Sequence, residues 1–153
     1  MIKVLMVCLG NICRSPLAEG ILKSKVDKSL VVVDSAGTGG WHVGELPDKR
    51  SIEVASRNQI NISNQRCRKF KVDDFDDFDL IYVMDKSNLS DVLNLAATTL
   101  HEQKVKLILN ELTPVSNMEV PDPYYGGERG FDHVFNLLDN ACEHIAKKIM
   151  DEE

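Results

Sequence analysis

Residues 2–16 read Ile-Lys-Val-Leu-Met-Val-Cys-Leu-Gly-Asn-Ile-Cys-Arg-Ser-Pro, an apolar run that breaks into a glycine-containing loop and then a helix start. Ile2 to Cys8 reads as a buried strand. Ser15-Pro16 reads as the opening of a helix, serine being a preferred N-cap and proline a preferred first helical residue. A strand that passes so directly into a helix leaves the amides of the loop and of the first helical turn unpaired. Amides that converge in this way bind a phosphate dianion. The run therefore predicts a strand–loop–helix unit with an anion site at the carboxyl end of the strand.

The rest of the chain repeats the alternation. A helix from Pro16 to about Lys28 carries Leu17, Ile21 and Leu22 on one side. Leu30–Val33 is a β-branched strand ending at Asp34-Ser35, and residues 36–44 form a glycine-rich loop that holds Trp41. Asp48–Asn58 reads as a helix, with Ile52, Val54 and Ala55 as its apolar positions. Asp79–Met84 is a third strand, Lys86–Ala97 a helix, and Val105–Leu109 a fourth strand. A loop over Thr113–Gly130 leads to an amphipathic helix from Phe131 to Met150. Continuous apolar strands between helices predict an α/β fold: one doubly wound domain over residues 1–153, its four-stranded parallel sheet covered by helices on both faces. Ligands of such sheets sit beyond the carboxyl strand ends, where strand order reverses. Cys8, Ser35, Asp85 and the Thr113–Gly130 loop all fall there. The acidic run Asp73–Asp79 reads as a solvated turn or helix start with its phenylalanines packed inward.

Charge and cysteine content narrow the partners. A net charge of −6 argues against nucleic acid or an anionic membrane. No stretch approaches the roughly 20 apolar residues of a membrane span, and the apolar N-terminus reads as a first strand rather than a signal peptide. Four cysteines without export signals fit free thiols in a reducing cytoplasm.

The chemistry follows from residue types. Cys8 is the candidate nucleophile, because a thiol beside an arginine at a helix N-terminus is commonly lowered to a pKa of roughly 3.5–7.5. Arg14 presents a planar fork to two phosphate oxygens. Ser15 serves as N-cap and can also donate to a departing thiolate. Gly10 lets the backbone approach an anion, and Asn11 braces the loop. Cys13 either packs under the loop or traps an oxidised Cys8 as a disulfide. Phosphoryl transfer to sulfur needs an acid for the leaving oxygen. Asp122, stiffened between Pro121 and Pro123, fits that role, although aspartate before proline is also a common turn residue. Trp41, Tyr124 and Tyr125 either pack their loops or wall a slot for an aromatic ring.

Val7-Cys8-Leu9-Gly10-Asn11-Ile12-Cys13-Arg14-Ser15-Pro16, Asp34-Ser35-Ala36-Gly37-Thr38, Trp41-His42-Val43-Gly44, Met84-Asp85 and Asp122-Pro123-Tyr124-Tyr125-Gly126 resemble the low-molecular-weight protein tyrosine phosphatases, in order and over nearly the whole chain. The resemblance implies hydrolysis of phosphotyrosine and small aryl phosphates through a phosphocysteine on Cys8. Arg14 binds the phosphate, and Asp122 first protonates the phenol and then activates water. Leu9, Gly10, Asn11, Ile12, Cys13 and Ser15 surround the phosphate, and Trp41, Tyr124 and Tyr125 line the slot. Asp85 stands behind the loop. The resemblance also implies no metal or cofactor, phosphotyrosine proteins as partners, inorganic phosphate as product, and a cytoplasmic monomer. Relatives often carry a loop-steadying histidine shortly before the arginine matching Arg68; here Gln65 is the expected substitute. Relatives acting on phosphoarginine tend to carry threonine where this chain has Ile12. Arsenate reductases of similar fold need two further cysteines, and Cys67 and Cys142 stand far apart in sequence. A flavin-phosphate binding module would need neither Cys8 nor Asp122, and a pure redox switch leaves Arg14 and Asp122 unused.

Overall fold

The computed structural model describes residues 1–123 and 127–151. Strands β1 (Ile2–Cys8), β2 (Val31–Gly37), β3 (Leu80–Val83) and β4 (Val105–Leu107) form one parallel sheet in the order β2-β1-β3-β4. The helices are α1 (Arg14–Lys25), α2 (Lys49–Arg57), α3 (Asp74–Asp77), α4 (Lys86–Leu93), α5 (Thr99–Lys104) and α6 (Gly127–Asp151), with a 3₁₀ turn at Ile108–Glu111. The chain leaves β1 for β2 on one side and places β3 on the other. Strand order thus reverses at β1, and the crevice of such a sheet opens at its carboxyl end, where Cys8 stands. Among the described residues no helix is long and apolar enough to cross a membrane.

Alternation along β1 divides the core. Val4, Met6 and Cys8 join the cluster under α1, α2 and α6, while Leu5 and Val7 face the cluster under α4. On α6, Phe131, Val134, Phe135, Leu138, Ala141, Cys142, Ile145 and Ile149 are buried at helical spacing. Burial of one such large apolar side chain contributes about 1.5–3 kcal/mol, so this stripe fastens the last helix to α1.

Several boundaries differ from those the sequence predicts. β2 runs on to Gly37, because Asp34 and Ser35 keep their register opposite Leu5 and Met6. Their polar side chains are satisfied, Asp34 by Arg68 and Ser35 by Asn11 and Glu19, so the usual reason for a strand to stop is absent. Val32, on this edge strand, is 37% exposed, so the helical cover is incomplete there. α4 stops at Leu93. A separate α5 follows, capped by the Thr98 hydroxyl accepting from the His101 amide, and it has no buried residue to mark it in an apolar pattern. β4 ends at Leu107, with Ile108 and Leu109 buried in the 3₁₀ turn, and α6 starts at Gly127 rather than Phe131. In the acidic run Phe75 and Phe78 are buried, as is Asp74, which pairs with Arg68 and accepts from the Lys71 amide.

Candidate active site

The loop between β1 and α1 is shaped by the bonds made by its carbonyls. Cys8 O accepts from Thr38 N at 2.9 Å and Leu9 O from Gly39 N at 2.9 Å. Asn11 O accepts from Cys67 Sγ at 2.8 Å, and Ile12 O from Asp48 N at 2.7 Å. With the carbonyls drawn outward, the peptide planes turn amides toward the centre of the loop. Asn11 N donates to Cys8 Sγ at 3.3 Å. Among the described residues, nothing accepts from the amides of Gly10, Ile12 or Cys13. Gly37 makes this closeness possible: a Cβ there would stand 2.8 Å from Leu9 O and 3.0 Å from Asn11 N and Gly10 C.

Asn11 sits at the hub with a left-handed backbone (φ 57°), a conformation asparagine tolerates better than most residues. Its Nδ2 donates to Ser15 Oγ at 2.8 Å and to Ser35 Oγ at 3.0 Å, while its Oδ1 accepts from Arg68 N at 3.0 Å. Gln65 does not take the place expected of it. Its Nε2 reaches Pro16 O in the first turn of α1, and the loop is gripped instead by the next residues along, Cys67 and Arg68.

Ser15 is not the N-cap. α1 begins at Arg14 with Cys13 as its cap, and no side chain caps it. Pro16 falls within the first turn, where a missing N–H leaves no intrahelical bond unmade. The Ser15 hydroxyl points inward and lies 3.0 Å from Cys8 Sγ.

Arg14 is buried, and one of its terminal nitrogens donates to Asp85 Oδ2 at 2.7 Å and to Val120 O at 3.0 Å. Burial alone would disfavour its charge, but the Cys8 and Asp85 charges outweigh that and hold it protonated. Asp85 serves two partners, because its Oδ1 also accepts from Asn88 N at 2.8 Å as the cap of α4. Burial, with Asp48, Cys8 and Asp122 adding to it, pushes the Cys13 thiol up to about 12.

Cys8, Leu9, Gly10, Ile12, Cys13, Arg14, Trp41 and Asp122 line one crevice of about 330 Å³ at the carboxyl end of β1. His42 and Asp48 complete the wall, two residues that sequence reasoning did not place there. Asp48 was legible only as a helix start, and it does cap α2 through the Arg50 amide. His42 stood beside Trp41 but gave no signal of its own; its Nδ1 lies 2.7 Å from Glu45 Oε2. Asn11 and Ser15 lie buried behind the loop, and Trp41 is 70% exposed at the rim. Tyr124 and Tyr125 lie outside the described residues. A larger cavity, about 600 Å³, lies along the β2 edge away from Cys8 and holds neither thiol nor arginine.

A thiol and a buried guanidinium thus share a crevice at the point where a doubly wound sheet reverses its strand order. The chain belongs to the family of low molecular weight phosphotyrosine protein phosphatases, whose family model it matches over residues 3–153. A relative from Synechocystis is 43% identical, over 94% of this chain and 93% of its own. The low molecular weight phosphotyrosine protein phosphatase of Schizosaccharomyces pombe is 40% identical over 97% of each chain. Among solved structures, the protein tyrosine phosphatase from Entamoeba histolytica, with Hepes in its active site, aligns at a TM-score of 0.91 and 36% identity over 99% of each chain.

Proposed function

We propose that this chain hydrolyses phosphotyrosine in proteins, and small aryl phosphates, through a phosphocysteine on Cys8 and without a metal. The observation that carries the reading is the Cys8 sulfur, with the Asn11 amide at 3.3 Å and the Ser15 hydroxyl at 3.0 Å, in a crevice that Arg14 and Asp122 also line.

In the first step the Cys8 thiolate attacks phosphorus as the bond to the phenolic oxygen breaks. Asp122 gives its proton to that oxygen, so a neutral phenol leaves. Arg14 and the inward amides of the loop, from Leu9 to Cys13, hold the three non-bridging oxygens and the charge that builds on them. In the second step the Asp122 carboxylate takes a proton from water, the water oxygen attacks phosphorus, and the P–S bond breaks. The electron pair returns to Cys8, where the Ser15 hydroxyl donates to the sulfur. Trp41, Tyr124 and Tyr125 flank the aryl ring. On this reading residues 1–153 act as one domain, a monomer in the cytoplasm, and release inorganic phosphate.

The test is release of phenol from an aryl phosphate in metal-free buffer. Cys8→Ser abolishes it, and Asp122→Ala lowers kcat by about 10²–10⁴-fold, the usual range for a general acid. Mass spectrometry of acid-quenched wild type finds phosphate on Cys8. A Cys8→Ser variant that keeps wild-type turnover sinks the reading. In a parallel arm, wild type prefers phosphotyrosine to phosphoarginine, and Ile12→Thr narrows that preference.

A further inference from the structure

One row of the sheet runs past the candidate nucleophile to a lysine. Cys8 pairs with Gly37 on β2, and Gly37 pairs in turn with Lys69. That last pairing is held by Gly37 N donating to Arg68 O at 2.9 Å and Phe70 N donating to Gly37 O at 2.7 Å. Neighbouring strands stand roughly 4.8 Å apart, so Lys69 lies about 10 Å from Cys8 along the row. Side chains alternate along an extended segment. Phe70 joins Leu5 and Val7 in the cluster under α4, and Arg68 turns to Asp34 and Asp74, so Lys69 falls on the face of the sheet that Cys8 occupies.

Two glycines shape what stands there. A Cβ on Gly39 would lie 2.0 Å from the Trp41 ring, and a Cβ on Gly40 would lie 3.4 Å from Lys69 Cδ. The ring at the crevice rim and the aliphatic stem of the lysine therefore rest on successive residues. Lys69 is exposed, and among the described residues no carboxylate pairs with it. Nearby carboxylates are engaged elsewhere, Asp34 and Asp74 by Arg68 and Glu45 by His42. In a chain of net charge −6, an ammonium without a carboxylate beside the aromatic rim is a local exception.

We propose that Lys69 is a specificity-determining residue of the phosphatase: its ammonium pairs with an acidic side chain that flanks the phosphotyrosine in the substrate protein. The inference rests on the reading of the crevice as a phosphotyrosine site. With the phosphate in the β1–α1 loop and the ring beside Trp41, the substrate backbone emerges at the crevice mouth, and its flanking residues pass the rim. A carboxylate there meets Lys69, while the net negative field of the rest of the molecule repels it. Exposure keeps such a pair modest and makes it sensitive to salt.

The experiment compares kcat/KM at low salt for two phosphotyrosine peptides, one with glutamates on both sides of the phosphotyrosine and one with glutamines in their place. The readout is the glutamate-to-glutamine ratio. Lys69→Met keeps an apolar stem on Gly40 without the charge, and it is expected to lower the ratio about two- to fivefold from wild type, the range of an exposed ion pair. Lys69→Glu lowers it further, and Lys69→Arg retains it. Lys28→Met removes the same charge from an exposed site before the opposite end of β2, and it leaves the ratio unchanged. In about 0.5 M salt the difference between wild type and Lys69→Met shrinks. A small aryl phosphate has no flanking residues, so every variant turns it over as wild type does, which also reports that each is folded. A Lys69→Met ratio equal to that of wild type, or a Lys28→Met ratio that falls as far, overturns the proposal. Should Lys69→Met fail to fold, Lys69→Glu decides. A wild type that hydrolyses neither peptide nor aryl phosphate would instead remove the proposed function.

Discussion

Cys67 Sγ donates to the main-chain oxygen of Asn11 at 2.8 Å, so the left-handed residue of the loop is held from a segment 56 positions away. Cys67 is itself fixed by its own amide, which donates to Glu45 O, and by its carbonyl, which accepts from Gly44 N. Cys67→Ser keeps a donor at this point and is expected to leave turnover close to wild type. Cys67→Val fills the space without a donor and leaves the Asn11 carbonyl unsatisfied, at a cost of about 1–3 kcal/mol. Thermal melts and kcat of the two variants check the contrast, and equal behaviour would show that packing alone matters.

Gly37→Ala tests the approach of β2 to the loop. The added methyl meets backbone on three sides, and backbone cannot swing away as a side chain can. Overpacking of this kind costs about 1–3 kcal/mol. Because the atoms displaced belong to Leu9, Gly10 and Asn11, the variant should also lose affinity for inorganic phosphate as a competitive inhibitor. Lowered melting temperature with unchanged inhibition would contradict the account of the loop.

The two oxygens of Asp85 predict separable losses. Asp85→Asn keeps an oxygen to cap α4 but turns an NH₂, a donor, toward Arg14 in place of the charged acceptor. Asp85→Ala removes both. Loss of a helix cap costs about 0.5–2 kcal/mol, so the alanine variant should melt lower than the asparagine variant. Both should raise KM for aryl phosphate, since Arg14 keeps only Val120 O as a partner among those described. Circular dichroism melts and steady-state kinetics distinguish the two effects.

Asp48 predicts a pH dependence of stability. Burial works against its charge, but the Arg50 side chain and amide overcome that and hold the carboxyl below its ordinary value. A carboxyl lowered in the folded state adds stability above its unfolded pKa, about 3.9, and that stability is lost as the pH falls through the folded value. The difference in melting temperature between wild type and Asp48→Asn should therefore be present at pH 6 and shrink below about pH 4. A difference that is constant across this range would remove the ionic part of the cap.

How much could be read in advance varied with the range of the interaction. The β1 strand, Cys8, Gly10 and Arg14 were legible because a strand, a loop and a helix start lie within a few residues. The stripe on α6 was legible by its period. The Ser15-Pro16 start misled, because capping preference is local while the Ser15 hydroxyl is claimed by Cys8 and Asn11. Ser35 marked a strand end by composition, yet it stays in the ladder because Asn11 and Glu19 satisfy it from α1 and its preceding loop. The role expected of Gln65 rests on its place shortly before Arg68, whereas the side chain that reaches Asn11 O is that of Cys67, two positions further on. No apolar periodicity could report α5, which has no buried residue and packs chiefly through His101 stacked on Phe75.

The anchors of Arg14 arrive late. Asp85 lies 71 residues beyond it and Val120 lies 106 beyond. Domains generally fold as units during synthesis, so a nascent chain that ends before Val120 carries Arg14 without that main-chain acceptor to hold it. Ordering of the phosphate cradle is thereby deferred until nearly the whole polypeptide has been made, and ribosome-bound fragments that stop short of Val120 should carry an unassembled cradle.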